Sequence, residues 1–329
     1  MQWFLVLFFV LCNLTVAYPT FSDKAIICGV CKNVSSNLPI MIRSIEEIGD
    51  LFAEYSVCIY ENNSTDSTVQ ILRDWERSNA RVTIISENLS REELLRSGES
   101  RTWDNMPFRT EVIARARNIV LERVLSSTFE DYKYVFMLDM DFKTQFDIKG
   151  IIHSLNVKTE WDAICANGIT DEGKTYDRFA LRDYFMPFGP ELLGDEWWRH
   201  VMVSPLILKR DSKLKPVYSA FGGLTIYKRS SIKGCSYSGI VTPELEKVVQ
   251  KILFDEKNRH HPEILKYLNR DDSKNTVFFL NNTPNRIKWI CNSGGYDVPV
   301  SCEHTTFHAM MFCNGCDKIF INPRMIVRY

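Results

Sequence analysis

Two aspartates one residue apart, Asp139 and Asp141, follow an apolar run that spans residues 134–138. The run is short and rich in aromatic and branched residues, which is typical of a buried strand. Side chains alternate along a strand, so both carboxylates share one face and Met140 points away. Neighbouring carboxylates repel unless a cation lies between them, and Mg²⁺ or Mn²⁺ held this way usually also binds a substrate phosphate. The alternative is a solvated acidic turn, because D-x-D also occurs by chance.

The elements before this pair alternate between two hydrophobic periods. Residues 25–31, 56–60 and 81–86 have the composition of strands, whereas apolar side chains recur at helical spacing over residues 38–52. Turn and cap residues at 61–66 introduce a second helix that runs to about Arg77. This alternation predicts an α/β fold with a mostly parallel sheet and helices on both faces.

Polar residues cluster where the predicted strands end. Glu61, Asn62 and Asp66 follow the second strand, and Asp139 and Asp141 follow a later one. Ligands of open α/β sheets bind beyond the carboxyl ends of the strands. The convergence favours the metal and phosphate site over the acidic turn.

The stretch between these clusters is less regular. Residues 87–109 are charged and predict a mobile flap, and residues 110–125 predict a helix that carries Arg115, Arg117 and Asn118. Later strands are predicted at 161–166 and at 219–227.

The second half offers further candidate side chains. The second of its strands contains Gly222 and Gly223, and such glycines let a ligand approach the backbone closely. Two acids, Asp195 and Glu196, precede the indoles Trp197 and Trp198. Paired indoles stack on sugar faces when exposed, and a place in the core is an equally good interpretation.

A helix over residues 302–312 would place His304 and His308 on one face, one turn apart. A lone histidine is more often structural than a ligand. His304, beside Glu303 at the predicted helix N-terminus, is the better candidate of the two.

The bulk composition is that of an ordinary globular protein. The chain has 329 residues, is 45% hydrophobic and 25% charged, and carries a net charge of −1. This charge gives no reason to expect a nucleic-acid partner or an anionic membrane surface.

The N-terminus is apolar over residues 3–12 and has a small-residue cleavage motif that ends at Ala17. We expect residues 1–17 to be a signal peptide, although no Lys or Arg precedes the apolar run. An uncleaved signal anchor, which would be the chain's one membrane attachment, and a buried helix are the alternatives. The expected location is therefore the lumen of the secretory pathway, in the endoplasmic reticulum or Golgi, or outside the cell.

Ten cysteines are many for a cytosolic protein, and entry into the secretory pathway would favour disulfides. Removal of Cys12 with the signal leaves an odd number. Two C-x-x-C pairs, Cys28 with Cys31 and Cys313 with Cys316, have zinc-site spacing, but the first lies in a predicted strand. The second could form a local disulfide. N-glycosylation motifs, which fit a lumenal chain but also occur by chance, begin at Asn33, Asn62, Asn63, Asn88 and Asn281.

Four stretches in this order, residues 26–30, 61–66, 114–118 and 136–141, resemble the nucleotide-sugar-binding half of glycosyltransferases with the GT-A fold. Residues 176–183 and 219–227 are similar to segments of the fungal capsule-associated mannosyltransferase group. The resemblance implies a donor half at 25–143 and an acceptor and catalytic half, more irregular, at 144–329 of the same domain.

The resemblance also implies a role for each candidate. The residues implied to contact the donor are Val30, Asn33, Glu61, Asn62, Asp66, Arg115, Arg117 and Asn118. The residues implied to contact the acceptor are Asp177, Arg182, Asp195, Trp197, Trp198, Gly222 and Gly223. Mn²⁺ or Mg²⁺ would be bound by Asp139 and Asp141, with His304 as a possible later ligand. Here the metal motif is D-M-D rather than a more polar triplet.

The implied reaction moves a hexose from a GDP- or UDP-sugar to a hydroxyl of a glycan, protein or lipid-linked acceptor. The closer resemblance implies that this hexose is mannose. The departing diphosphate gains negative charge, which a cation and Arg side chains stabilise. An inverting reaction would need a carboxylate base, and Glu303 is the first candidate, ahead of Asp195 and Glu196. The structural alternative is that Glu303 only places a favourable negative charge at the helix N-terminus. A catalytically silent glycan-binding protein and a nucleotidyltransferase are the other functional hypotheses.

Overall fold

The computed structural model describes residues 21–96, 109–203, 208–280, 286–291 and 298–329. The predicted signal peptide, the Asn281 motif and residues 97–108 of the predicted flap lie outside these ranges. The strands are β1 (Phe21–Cys31), β2 (Phe52–Asn62), β3 (Val82–Glu87), β4 (Tyr134–Asp139), β5 (Ala163–Ile169), β6 (Lys215–Pro216), β7 (Leu224–Lys228), β8 (Thr276–Phe278), β9 (Trp289–Cys291) and β10 (Ile319–Arg328).

Eight of these strands form one sheet in the order β3-β2-β1-β4-β7-β5-β10-β6. Neighbours are parallel from β3 to β4, and β10 is parallel to β5. Strand β7 is antiparallel to both β4 and β5, and β6 is antiparallel to β10. The predicted α/β class with a mostly parallel sheet, as expected of a GT-A enzyme, is therefore confirmed.

Helices cover both faces of the sheet because alternate strand residues are apolar on each side. Ala25 and Ile27 of β1 join one core cluster, and Ile26 and Cys28 join the other. The helices are α1 (Leu38–Gly49), α2 (Thr68–Ser78), α3 (Arg91–Arg96), α4 (Arg109–Leu125), α5 (Ile148–Leu155), α6 (Pro190–Leu193), α7 (Asp195–Val203), α8 (Pro243–Leu253), α9 (Pro262–Leu268) and α10 (Glu303–Cys313). Helices α1, α2 and α5 pack on the first cluster, and α4 and α10 pack on the second.

Several predicted boundaries differ from the observed ones. The first helix ends at Gly49, and Phe52 instead begins β2, where its ring packs on Phe21 and Phe136. Part of the predicted flap is the short helix α3. The predicted glycine strand begins only at Leu224, because the glycines before it have positive φ and interrupt the extended backbone.

The second half adds a separate core cluster beneath helices α6 to α9 and the hairpin β8-β9. Several elements of this half are only two to four residues long, namely α6, β6, β8 and β9. None of the helices within the described ranges is both long and apolar enough to span a bilayer.

The nine cysteines in the described ranges are all free thiols, so the expected disulfides are not confirmed. Cys28 and Cys31 are buried in β1, whereas Cys313 is exposed at the end of α10. Burial raises the pKa of the Cys28 thiol well above its ordinary value. A buried protonated thiol is a poor metal ligand.

Candidate active site

Asp139 is the last residue of β4, and Asp141 follows it at the carboxyl edge of the sheet. Between them Met140 is buried and packs against Gly29, where an added Cβ would lie 2.9 Å from its Cγ. The backbone N–H of Asp139 donates to the Gly223 carbonyl at 3.0 Å, which fixes the strand end between β1 and β7. The inward Met140 agrees with the predicted alternation, and Asp141 is exposed to solvent.

A single guanidinium, that of Arg117 on α4, joins two of the candidate acids. Its Nη2 lies 2.9 Å from Asp139 Oδ1, and its Nε lies 3.2 Å from Glu303 Oε1. The Arg117 side chain is only 3% exposed and lies over the Phe221 ring at 4.8 Å. Burial alone would lower the pKa of Arg117, but the charges of Asp139 and Glu303 raise it. Arg117 therefore fixes the positions of two carboxylates, those of Asp139 and Glu303.

The electrostatics of the strand end favour a cation. Burial raises the pKa of Asp139 to about 6, with Arg117 opposing this shift and Asp141 adding to it. Partial desolvation by the surrounding protein also raises the pKa of Asp141, although its side chain reaches solvent. Both shifts mean that the negative charges are incompletely compensated, and a divalent cation with hard oxygen ligands would compensate them. Two carboxylates one residue apart, one of them open to solvent, fit such an ion when a substrate phosphate completes its coordination.

Glu303 and His304 are the first two residues of α10, as the predicted helix required. Both are buried, and His304 stacks on Phe221 at 3.7 Å between ring centroids. Its Nε2 lies 3.6 Å from Glu303 Oε1. Burial lowers the pKa of His304 well below its ordinary value, so the ring is neutral.

The described residues contain no group of three or more His, Cys, Asp or Glu side chains placed to hold a metal ion. His304 is therefore not part of a ready-made metal site within the described ranges, and its role as a later ligand stays a prediction. The imidazole is packed between the rings of Phe221 and Tyr237.

Asp177 follows Tyr176, whose ring contacts Phe142, next to the predicted metal pair, at 6.0 Å between centroids. It interacts electrostatically with Asp139, Glu303 and Arg117, and its backbone has φ of +56°. Burial, followed by the charges of Asp139 and Glu303, raises the pKa of Asp177 to about 8. The side chain is half-buried, and its Oδ1 accepts from the Ala180 N–H at 3.3 Å.

The predicted nucleoside contacts lie at the ends of β1 and β2, where Cys31 pairs with Glu61 and Val30 pairs with Asp139. Glu61 is buried, and its carboxylate accepts from the Ser64 N–H at 2.7 Å and from the Ser86 hydroxyl at 2.7 Å. It shapes the loop after β2.

Three neighbouring side chains also bond to the loops. Asn33 Oδ1 accepts from the Thr65 N–H at 2.7 Å, and Asn62, which is 8% exposed, donates to Asn63 Oδ1 at 3.0 Å. Asp66 accepts from the N–H groups of Ser35 at 3.1 Å and Thr68 at 3.0 Å. Its pKa is lowered, first by the Thr68 side chain and then by the Ser35 side chain and these backbone hydrogen bonds. The loops after β1 and β2 are thus tied together into one wall of the site.

The other two polar residues of α4 also have protein partners. Arg115 Nη1 donates to the Tyr60 hydroxyl at 2.8 Å and to Glu87 Oε2 at 2.9 Å. Asn118 exchanges two hydrogen bonds with the Tyr237 backbone, at 2.9 and 2.7 Å. Both fix α4 against its neighbours, so any donor contact from them would have to compete with these bonds.

Residues predicted to contact the acceptor divide into buried and exposed groups. Arg182 is 2% exposed, and its Nη2 bonds both oxygens of buried Glu191 at 2.9 and 3.0 Å. Its guanidinium is closed to a ligand, so it supports the chain around Gly189 instead. Trp197 is 2% exposed and belongs to the core, whereas Trp198 is 45% exposed and stacks on Phe179. Only Trp198 of the two indoles keeps an open surface; Asp195, the first residue of α7, is exposed as well.

Gly222 and Gly223 are required by packing within the protein. Both have positive φ, at 63° and 85°. A Cβ on Gly222 would collide with the Ala166 carbonyl, and one on Gly223 would collide with the Phe142 ring. The glycine pair lets β7 enter the sheet beside Asp139 rather than leaving space for a ligand.

Phe221 and a tyrosine stack were missed in the sequence. Phe221 lies beneath both Arg117 and His304. The rings of Tyr176 and Tyr329 stack at 4.3 Å, and Tyr176 interacts with Asp139 and Asp141. The only local signal was the aromatic residue before the glycine pair; nothing in the spacing connects Tyr329 with Tyr176.

A sequence model of the family described as Cryptococcal mannosyltransferase 1 matches residues 25–277. No curated protein sequence matches the chain. Among solved structures, S. aureus TarS 1-349 in complex with UDP-GlcNAc is 14% identical with a TM-score of 0.36, covering 65% of this chain and 48% of that one. The mannosyltransferase PcManGT from Pyrobaculum calidifontis, in complex with GDP-Man and Mn²⁺, is 14% identical with a TM-score of 0.34, covering 68% and 50%.

Glucosyl-3-phosphoglycerate synthase from Mycobacterium tuberculosis, in complex with Mn²⁺, UDP-Glc and phosphoglyceric acid, is 14% identical with a TM-score of 0.32, covering 64% of this chain and 58% of that one. The chain thus spans about half the length of these TarS, PcManGT and synthase chains.

Proposed function

Because this chain belongs to the Cryptococcal mannosyltransferase 1 family and is a glycosyltransferase, we propose that it is a metal-dependent mannosyltransferase that uses a nucleotide-sugar donor. The observation that carries the proposal is the arrangement at the end of β4. Asp139 and Asp141 lie at the carboxyl edge of the sheet, and Arg117 Nη2 lies 2.9 Å from Asp139 Oδ1. The loops after β1 and β2 lie beside them.

Asp139 and Asp141 would hold Mn²⁺ or Mg²⁺. When bound, the ion would supply positive charge that stabilises the diphosphate as it leaves. Arg117 keeps the Asp139 carboxylate oriented toward the site, and the wall formed by the β1 and β2 loops is where the nucleoside would lie. The contact between Arg117 and Asp139 and the wall of loops are formed before the donor arrives, as electrostatic stabilisation of a transition state requires.

The donor is a GDP- or UDP-sugar, with GDP-mannose the first choice because of the family. The acceptor is a hydroxyl of a glycan or glycoconjugate. The exposed face of Trp198 is suited to stack on a pyranose ring of that acceptor.

The test is nucleotide release from a panel of GDP-mannose, GDP-fucose, UDP-glucose and UDP-GlcNAc, with Mn²⁺ present and methyl α-mannoside as the acceptor. We expect release from one donor, lost on chelation and reduced at least 10²-fold in Asp141→Asn, on the order seen for one lost charge stabiliser. Asp211→Asn, which changes an exposed loop aspartate, is the control and should keep full activity.

Binding of no donor in the presence of Mn²⁺ would support the glycan-binding alternative, and transfer of a nucleotidyl group would support the nucleotidyltransferase. Full activity of Asp141→Asn would refute the metal mechanism alone.

We also propose that the enzyme works in the lumen of the secretory pathway or outside the cell. The apolar segment at residues 3–12 and the cleavage motif at Ala17 support this location. N-terminal sequencing of the protein purified from a eukaryotic host should begin at Tyr18. A mature chain that begins at Met1 and carries no N-linked glycan would count against it.

A further inference from the structure

The acids of the site do not share its positive charge equally. Arg117 bonds Asp139 at 2.9 Å and Glu303 at 3.2 Å. Asp177 lines a small cavity together with Phe221, whose ring lies 4.8 Å from the Arg117 guanidinium, and among the described residues no ion pair includes Asp177. Its Oδ1 has a single hydrogen bond, from the Ala180 N–H at 3.3 Å. Among the described residues Asp177 therefore has no cation of its own, and neither has Asp141, the proposed metal ligand.

An independent observation indicates that a polar ligand enters here. Arg117 Nη1 has no hydrogen-bond partner in the described part of the chain, although the residue is only 3% exposed. Both ring nitrogens of His304 are likewise without a partner, and that residue is 2% exposed. Buried polar groups are normally paired, so the unpaired nitrogen of a guanidinium that already bonds Asp139 and Glu303 points to a missing partner.

Asp177 is also better placed to reach a ligand than Glu303. Glu303 is 6% exposed and its Oε1 is bonded to Arg117, so it is less accessible to a substrate. Asp177 is half-buried. Its loop is fixed by the bond from the Tyr176 N–H to the Gly168 carbonyl at 2.8 Å and by the stacking of Tyr176 on Tyr329.

We propose that Asp177 is a catalytic residue whose unpaired carboxylate faces the transferred sugar and stabilises the positive charge that develops at its anomeric carbon. This inference rests on the proposed function. In the step, the bond from the anomeric carbon to the diphosphate oxygen breaks, and its electron pair leaves with the nucleoside diphosphate. A bond from the acceptor oxygen to the anomeric carbon forms, and the acceptor proton passes to the departing diphosphate.

The physical reason is electrostatic. The transition state of glycosyl transfer resembles an oxocarbenium ion, and a fixed negative charge in a site of low dielectric stabilises it more than the neutral ground state. A carboxylate already neutralised by Arg117 would contribute less. A cation bound at Asp139 and Asp141 would also favour the ionised form of Asp177.

The decisive variant is Asp177→Asn. Asparagine tolerates the left-handed backbone and keeps the oxygen that accepts from Ala180, so only the charge is removed. The control is Asp183→Asn, six residues on, which removes a buried acid with a structural role. Asp183 accepts from the N–H groups of Phe185 and Met186 and pairs with Lys215 at 2.8 Å.

Each protein is assayed for nucleotide release from GDP-mannose with Mn²⁺ and methyl α-mannoside, for the Kd of GDP-mannose by calorimetry, and for Tm. We expect Asp177→Asn to lower kcat about 100-fold or more, with an unchanged or lower Kd and an unchanged or higher Tm. Asp183→Asn should lower Tm and leave kcat within threefold of the wild type.

A kcat of Asp177→Asn within threefold of the wild type would overturn the inference, as would a rise in Kd that accounts for the whole loss. Should Asp177→Asn not fold, Asp177→Glu decides the question, because it keeps the charge and should retain more activity than Asp177→Ser. A wild-type protein inactive on every donor in the panel would instead overturn the proposed function, and the inference with it.

Discussion

Replacing Arg117 with methionine should destabilise the protein far more than the same change at Arg115, two residues earlier on α4. The Arg117 side chain is 3% exposed, and its carboxylate partners Asp139 and Glu303 are 23% and 8% exposed. Removing one partner of a buried ion pair costs about 3–5 kcal/mol, because the remaining charge is left without compensation. Methionine keeps roughly the length of the side chain and its packing on Phe221. The change in the free energy of unfolding therefore reports the loss of the positive charge.

Arg115 supplies the matched control. It pairs with Glu87 at 2.9 Å, but the two side chains are 26% and 33% exposed, and solvent screens the pair. We expect Arg115→Met to change the free energy of unfolding by at most about 1 kcal/mol. Both free energies are measured by urea denaturation, with circular dichroism and tryptophan fluorescence compared to check for a single transition.

The pH dependence adds a second requirement. Asp139 already has a pKa raised to about 6, and Arg117 is the charge that opposes this rise. Without Arg117 the pKa rises further, so the native state is penalised wherever Asp139 must ionise. The penalty grows as pH rises above the ordinary carboxyl range, and protonation removes it at low pH. The stability deficit of Arg117→Met should therefore be largest near pH 8 and smaller at pH 5. A deficit equal to that of Arg115→Met, or one that grows toward pH 5, would refute this account of the site.

Three further predictions concern neighbouring parts of the site. Trp197→Ala should destabilise the protein by about 3–5 kcal/mol, because it empties a buried position. Trp198→Ala should change Tm by no more than about 2 °C and raise the KM for the acceptor. Equal losses of Tm in the two variants would contradict this division. Gly223→Ala should lower Tm and activity together, since the added methyl collides with Phe142 and φ is +85°; a stable, active variant would show that the turn can move. GDP with Mn²⁺ should raise the Tm of the wild type by several degrees, because a bound ligand stabilises the folded state. The same measurement with Mg²⁺, and with GDP alone, shows how much of this rise depends on Mn²⁺. Asp141→Asn should lose the part that depends on Mn²⁺.

Local patterns in the sequence predicted the elements well. The apolar run before Asp139, the helical spacing after residue 38 and the branched residues at 81–86 each correspond to an observed element. Their alternation also predicted the mostly parallel sheet and the edge at which polar loop residues gather. These features depend on side-chain periods and chain connectivity, which are properties of neighbours along the chain. Element ends were less accurate, since Phe52 joins a strand through contacts with Phe21 and Phe136.

The family resemblance identified at residues 176–183 and 219–227 is confirmed by the match over residues 25–277. It singled out Asp177 and Arg182 together, yet the structure separates them. Arg182 turns inward to Glu191, and Asp177 stays half-exposed beside Asp139. A sequence motif does not distinguish these two residues. The direction of each side chain depends on what the rest of the chain packs against it.

Patterns along the chain were enough to predict the sheet, its polar edge and the pair of aspartates that ends β4. The distribution of charge there depends on contacts between residues far apart in the sequence. Arg117 meets Asp139 across 22 positions of sequence and Glu303 across 186. Contacts over such separations depend on how α4 and α10 pack on the same face of the sheet. Which acid is paired, and which is left with an uncompensated charge, follows from that packing.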